Sequence, residues 1–111
     1  MTSAVAKKLE SLRKRGIRQT EVAILLGTRP EQVSRWNNGQ AYPRSSTEKT
    51  LLELEFIVEQ LCDFYEPNEA RQWLFSPQKL LNGQKPAELI QQGRIDEVRR
   101  LVNQLRDAVY L

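Results

Sequence analysis

Three long polar side chains, Arg29, Gln32 and Arg35, recur at three-residue steps in the N-terminal half, and their chemistry suits hydrogen bonding to the edges of base pairs. Arg35 is the first candidate for base readout, because a guanidinium fork matches the O6 and N7 acceptors of guanine. Residues three apart share one face of a helix, and core packing does not require polar groups there. The alternative is a helical hairpin with a solvated face, and the exposed polar set favours DNA binding over it.

Groups that could perform catalysis or hold a metal ion are scarce. The chain has no histidine and one cysteine, Cys62, so we expect neither an internal disulfide nor a zinc site. Its carboxylates, serines, tyrosines and lysines form no activated nucleophile–base constellation. We therefore expect no enzyme activity, no metal and no cofactor, and we interpret Cys62 as a small core hydrophobe.

The bulk properties are those of a small soluble protein. The 111 residues allow one compact domain, or two small lobes that share a core. The apolar runs are too short for a membrane span, and the N-terminus lacks an apolar signal core, so we expect a cytoplasmic protein. Residues 1–50 carry ten Lys/Arg against four Asp/Glu, a net of +6, whereas residues 51–111 carry seven against ten, a net of −3. This asymmetry suggests a different partner at each end, with nucleic acid at the first.

The elements that must position Arg29, Gln32 and Arg35 are predicted to be short helices. An apolar stripe predicts a first helix over residues 3–15, ended by Gly16. Thr20 and Thr28 are suited to cap two further helices, at about 21–26 and 30–37, with Gly27 in the tight turn between them. Gly39 ends the second of these.

This layout resembles the bihelical DNA-reading unit of Xre/Cro-type proteins. The resemblance implies that the first helix of the pair braces against the DNA backbone and the second lies in the major groove. The resemblance makes Gln19 a phosphate contact. The sequence departs from the usual pattern at Pro30, where many relatives carry a base-reading glutamine. The implied recognition face comprises Thr28, Arg29, Glu31, Gln32 and Arg35, with Ser34 and Asn38 at positions of further backbone contacts. Glu31 is acidic beside phosphates, and is tolerable there only if it accepts from cytosine or pairs with Arg29 or Arg35.

The longest helix is predicted from Thr47 to about Tyr65. One face carries residues at alternating three- and four-residue steps, Leu51, Leu54, Val58, Leu61 and Tyr65, and Leu52 and Phe56 lie on another side. Two interpretations remain open: the helix is the spine of the protein, packed on both sides, or its second apolar side forms a dimer seam.

The sequence of the C-terminal third predicts several short helices, each with residues typical of a helix start or a helix end. Pro67 begins one helix, Ser76-Pro77 and Asn82-Gly83 bound a second, and Pro86 and Gly93 bound a third. We expect Trp73 and Phe75 to pack beside Leu80 and Leu81. The last helix, Ile95 to about Val109, is strongly amphipathic, and one face carries Ile95, Val98, Leu101, Val102, Leu105, Ala108 and Val109.

This third also resembles the toxin-binding domain of the Xre/MbcA/ParS antitoxins, over roughly the last 45 residues. The pattern is carried by Trp73, Phe75, Pro77, Leu80, Leu81, Gly83, Pro86, Leu89 and Ile90. The likeness to the mycobacterial MbcA-like antitoxins extends over nearly the whole length. It implies a partner, a RES-domain toxin that consumes NAD, with the chain's C-terminal region over the toxin's active-site cleft. Toxin contacts are then expected from Arg99, Arg100, Arg106, Val109, Tyr110 and Leu111.

We therefore expect an all-α fold in which an N-terminal helix-turn-helix shares a long central helix with a small C-terminal helical bundle. Residues 1–65 form the helix-turn-helix region and residues 66–111 the toxin-binding domain. The resemblance implies a type II antitoxin that blocks its toxin sterically and represses its own operon through operator DNA. The expected assembly is a homodimer or a toxin–antitoxin hetero-oligomer, with no membrane association. Two alternatives remain: a stand-alone dimeric helix-turn-helix repressor, and a pure inhibitor with a vestigial helix-turn-helix.

Overall fold

The computed structural model describes residues 3–109, and within them the chain is helical without strands, which confirms the expected all-α class. The described part measures 44 × 25 × 21 Å along its principal axes. Its elements are α1 (Ala4–Lys14), α2 (Gln19–Leu26), α3 (Pro30–Asn37), α4 (Ser45–Leu61), α5 (Pro67–Leu74), a short 3₁₀ turn (Lys79–Leu81), α6 (Pro86–Gln91) and α7 (Ile95–Val109).

Helix α4 is the spine of the fold. It packs against α1 and α2 on the N-terminal side and against α7 on the C-terminal side. Its residues Leu54, Ile57 and Val58 are completely buried and belong to one continuous core that includes residues from every α-helix. Burying a large aliphatic side chain contributes about 1.5–3 kcal/mol before the entropy cost, so this shared core holds both halves of the chain together.

Several helix ends differ from those predicted. Helix α2 begins one residue before Thr20, and the backbone N–H of Arg18 donates to Oε1 of Glu21 at 2.9 Å. Helix α3 has Arg29 as its N-cap, without a side-chain cap from Thr28. Helix α4 ends at Leu61 rather than near Tyr65, because the next residues tighten into a turn. In this turn the N–H groups of Asp63 and Phe64 donate to the carbonyls three residues back, at 3.1 and 3.2 Å.

Gly16 allows α1 to end directly against α5. Its φ is +92°, in the region that favours glycine. A Cβ atom at this position would lie 3.3 Å from both Cβ and the carbonyl oxygen of Pro67. The glycine therefore serves both the backbone turn and the close approach of the two elements.

The packing predicted for Leu80 is wrong. Leu81 is buried, but Leu80 is 71% exposed. The two lie in the 3₁₀ turn, and because such a turn has about three residues per revolution, adjacent side chains point in different directions. The turn ends at Asn82, which has a left-handed conformation with φ of 58°. The end of α7 also departs from its predicted core face, since Ala108 and Val109 are exposed.

Candidate functional site

An open cleft of about 1400 Å³ lies between α3 and the start of α4. Five of the eight predicted DNA-contacting residues line it: Thr28, Arg29, Glu31, Gln32 and Arg35. They come together because Gly27, with φ of +67°, turns the chain sharply after α2 and packs α3 against it. Arg29, Glu31 and Arg35 are exposed, whereas Thr28 and Gln32 are half-buried.

The other three predicted residues lie outside the lining of this cleft. Gln19 is half-buried at the first position of α2, and Ser34 is half-buried on α3. Asn38 is exposed and caps the C-terminus of α3. The structure therefore separates a cleft-lining group from these three positions on the remaining surface of α2 and α3.

The cleft also contains residues that the sequence pattern did not identify. Tyr42, Arg44, Ser46 and Thr47 line its far wall, where α4 begins. Arg44 is the N-cap of α4 and makes no side-chain capping bond, so the first turn of α4 presents backbone N–H groups without such a partner. An aromatic and a basic residue in the short connection after Gly39 could have indicated this wall, but the prediction treated that connection only as a loop.

The electrostatics of the cleft favour an anion. Three of its charged residues, Arg29, Arg35 and Arg44, are cationic, against a single carboxylate, Glu31. In the described part of the chain, Glu31 forms no ion pair with Arg29 or Arg35, so of the two alternatives for this carboxylate the structure does not show the pairing. The positive end of the α4 dipole adds to the same potential. An exposed, cationic surface of this kind suits a phosphate backbone.

The second group of predicted residues lies on α7. Arg99, Arg100 and Arg106 are exposed, and Arg99 and Arg106 lie two turns apart on one face. Arg99 contacts Asp96 at 3.3 Å, and Nε of Arg106 is 3.8 Å from a carboxylate oxygen of Asp63. These are loose, solvent-exposed pairs, which leaves the guanidinium groups able to bind other acceptors.

The end of α7 extends past the core. Leu105 is half-buried against the core, but Val109 is 56% exposed. An apolar side chain at the exposed end of an amphipathic helix provides a contact that the chain itself does not bury. Tyr110 and Leu111, predicted as further contacts, lie outside the described residues.

Two other classes of site are not found between residues 3 and 109. No group of three or more His, Cys, Asp or Glu side chains there could hold a metal ion. Neither is any of the described helices long and apolar enough to cross a membrane.

Comparison with known proteins points to one family. The family model for the antitoxin Xre/MbcA/ParS C-terminal toxin-binding domain matches residues 63–107. The mycobacterial cidal antitoxin MbcA of Mycobacterium tuberculosis is 30% identical over 111 residues, which are 100% of this chain and 96% of that protein. A probable mycobacterial cidal antitoxin of the same organism is 28% identical over 103 residues, 93% of this chain and 88% of the relative.

A solved structure gives the same relationship. It is the crystal structure of the M. tuberculosis MbcT–MbcA toxin–antitoxin complex, and one of its chains superimposes with a TM-score of 0.82. The match has 27% identity and covers 98% of this chain and 99% of the other. Sequence and fold agree over the whole length, and the chain therefore belongs to the Xre/MbcA/ParS antitoxin family.

Proposed function

We propose that this chain is the antitoxin of a type II toxin–antitoxin system and that it binds and sterically inhibits a RES-domain toxin that consumes NAD. The observation that carries the proposal is the exposed end of α7, where Val109 extends past the core in a chain that matches an MbcA antitoxin from end to end. The solved relative comes from a toxin–antitoxin complex, which supports a toxin as the partner.

Inhibition by occlusion requires no catalytic group. A helix end that enters a substrate cleft excludes the substrate by volume, and the apolar surface of Val109 provides a contact that becomes buried on binding. The exposed guanidinium groups of Arg99, Arg100 and Arg106 lie along the same helix and would form charge-assisted hydrogen bonds with carboxylates or carbonyls of the toxin. In this proposal residues 66–111 form the toxin-binding part, acting without enzymatic activity of their own.

The same chain would bind operator DNA through residues 1–65, with α2 and α3 acting as a helix-turn-helix. Support comes from the cationic cleft, in which Thr28, Arg29, Gln32 and Arg35 lie on one side and Arg44 on the other. Arg35 would read a base, and Gln19, Ser34 and Asn38 would contact the backbone. Such binding would let the antitoxin, as a homodimer or as a toxin–antitoxin hetero-oligomer, repress its own operon.

A stand-alone dimeric repressor is the second candidate. It is favoured by the exposed apolar residues Leu52 and Phe56 on α4, which a partner of any kind would cover. An inhibitor with a vestigial helix-turn-helix is the third, and Glu31, which has no ion-pair partner among the described residues, is the feature that supports it.

The decisive experiment is capture of tagged full-length protein from its native cells, with mass spectrometry of the co-eluting chains and an assay of NAD turnover. We expect a RES-domain protein to co-elute in an inactive form. Deleting residues 109–111 should weaken that complex by about tenfold or more and release NAD turnover. The matched control is Ile24→Ser, which alters an equally exposed apolar side chain on α2 and should retain inhibition. Recovery of the protein alone, or full inhibition by the shortened chain, would contradict the occlusion proposal.

A further inference from the structure

The core buries one polar side chain at the place where α7 begins to leave it. Among residues 3–109, Gln60 in the last turn of α4 is the only buried polar or charged residue, with 6% of its surface exposed. Its Nε2 donates to Oδ1 of Asn103 on α7 at 3.1 Å. Its Oε1 is also buried, but accepts no hydrogen bond within the described part of the chain. The Gln60–Asn103 pair therefore satisfies only one side of the buried amide.

Such a pair is a poor source of stability. Burying an amide costs free energy unless its groups are hydrogen-bonded, and an apolar side chain of similar shape can be equally favourable or better. The neighbours of Gln60 on α4, Ile57, Val58 and Leu61, are completely buried, so the environment suits an apolar residue. A polar group buried between two helices does, however, restrict them to the register in which it finds its partner. Orientation, rather than stability, is what the Gln60–Asn103 pair can contribute.

The pair lies where the packing of α7 changes. Before it, Val98, Leu101 and Val102 are buried. Beyond it, residues 104–109 are exposed except for Leu105, which is half-buried against the core. The outer part of α7 therefore has few apolar contacts that could fix its direction.

A second contact repeats the register of the first. Nε of Arg106 lies 3.8 Å from Oδ2 of Asp63, in the turn that follows α4. Asp63 follows Gln60 by three residues, as Arg106 follows Asn103, so the two contacts lie about one turn apart along both segments. The ion pair is long and exposed, and contributes little free energy. The buried contact is therefore the one that can set how the outer part of α7 lies beside the end of α4.

We propose that the Gln60–Asn103 pair is a positioning device, which sets the rotation and register of α7 on α4 and thereby directs the exposed end of α7 into the toxin. The inference rests on the proposed function and deepens it, because it names a residue that controls inhibition without contacting the toxin. Gln60 is buried, so it can act on a toxin only through the position of α7. A helix end held in its binding orientation loses less conformational freedom when the complex forms, and this increases affinity.

The first test is Gln60→Met in the full-length protein, which removes the amide but keeps an unbranched side chain of similar length. Inhibition of NAD turnover by the captured toxin should weaken by about tenfold. The midpoint of urea unfolding should be unchanged or higher, because the buried, unpartnered Oε1 is lost and the exposed Asn103 can bind water instead.

Gln104→Met is the matched control for this variant. It makes the same chemical change on the exposed surface of α7, beside Asn103, and should leave both inhibition and stability as in the wild type. Undiminished inhibition by Gln60→Met, an equal effect of Gln104→Met, or a loss of inhibition explained by an equal loss of stability would overturn the inference.

Hydrogen exchange tests the positioning of α7 without a toxin. In Gln60→Met the backbone amides of residues 104–109 should exchange about three- to tenfold faster than in the wild type, as the loss of one hydrogen bond implies. Those of residues 98–102 should keep their wild-type rates, because the core still buries that part of the helix. Unchanged exchange at 104–109 would show that the pair does not hold the end of α7, whatever the toxin assay gives.

Exchanging the two partners provides the rescue. The double variant Gln60→Asn/Asn103→Gln keeps both amides and their combined length, and should recover inhibition and slow exchange together. Circular dichroism checks that each variant is folded. A double variant no better than Gln60→Met would assign the loss to local packing and overturn the positioning role. If the wild type itself captured no NAD-consuming toxin, the proposed function would fail, and the exchange rates would still decide whether the Gln60–Asn103 pair positions α7.

Discussion

Arg71 of α5 donates from Nε to Oε2 of Glu21 on α2, and this ion pair joins two helices that are 50 residues apart in the sequence. The second carboxylate oxygen of Glu21 accepts from the backbone N–H of Arg18 at 2.9 Å. One carboxylate thus satisfies the N-terminus of α2 and holds α5 against it. Because α3 packs on α2, the pair contributes to the position of the candidate DNA-binding surface relative to the C-terminal half.

Arg71→Ala should lower the free energy of unfolding by about 1–2 kcal/mol, as expected for a partly buried hydrogen bond between charged groups. The side chain of Glu21 is only 12% exposed, so the variant leaves a carboxylate without its cationic partner. Arg13→Ala is the control, because its ion pair with Glu10 is solvent-exposed on both sides and its loss should change the free energy of unfolding much less. Urea denaturation of the three proteins measures both values, and equal losses would show that the Arg71–Glu21 pair has no special role.

Gly16→Ala should destabilise the fold more than Gly93→Ala. Both glycines have positive φ, +92° and +79°, so each substitution introduces backbone strain of about 1–2 kcal/mol. Only at Gly16 would the new Cβ also meet Pro67 at 3.3 Å, whereas nothing lies within 4 Å at Gly93. The difference between the two free energies of unfolding therefore isolates the contact between α1 and α5. If Gly93→Ala lowered the free energy of unfolding more than Gly16→Ala, the close approach to Pro67 would not be what disfavours a side chain at Gly16.

Local patterns in the sequence predicted most helices and the core face of α4, but not the contacts between distant elements. The three- and four-residue spacing of Leu51, Leu54, Val58 and Leu61 is a property of one helix, so it could be recognised without the fold. The pairing of Arg71 with Glu21 depends on how α5 packs against α2, and no periodicity in either segment encodes it. Leu80 was misjudged for a related reason, because only the 3₁₀ geometry decides which of two adjacent leucines points inward.

For the candidate site too, the sequence predicted local features but not the contacts between distant elements. The spacing of Arg29, Gln32 and Arg35 predicted a polar face at α3, but no sequence pattern predicted the opposite wall of the cleft. Arg44 reaches the cleft because α4 begins at Ser45 beside α3, a tertiary arrangement that the connecting segment does not reveal. The toxin contacts proposed on α7 were inferred from the family resemblance, because its arginines alone indicate only a solvated helix face.

Cys62 should react slowly with iodoacetamide in the folded protein. Burial raises the pKa of its thiol above the ordinary value of 9.0; the nearby carboxylates of Asp63 and Glu66 act in the same direction, and Arg15 opposes them. Only the thiolate is nucleophilic, so the pH midpoint of labelling should lie higher in the folded than in the urea-unfolded protein. Because folding favours the neutral thiol, the free energy of unfolding should fall as the pH rises above the pKa that Cys62 has in the unfolded protein. Identical midpoints in the two states would contradict a burial effect on this group.

Arg35→Ala should weaken binding to the specific operator by about 1–3 kcal/mol and relax the preference for one base pair, because a guanidinium that reads guanine is replaced by a methyl group. Arg44→Ala should instead weaken binding to all sequences alike and reduce the slope of log K against log salt by about 1, as expected for a phosphate contact. Arg106→Ala removes a charge from α7, outside the cleft, and serves as the control. Gel-shift titrations with operator and scrambled DNA across salt separate these effects. A wild-type affinity independent of salt would indicate that the α3–α4 cleft does not contact a phosphate backbone, and would favour the inhibitor with a vestigial helix-turn-helix.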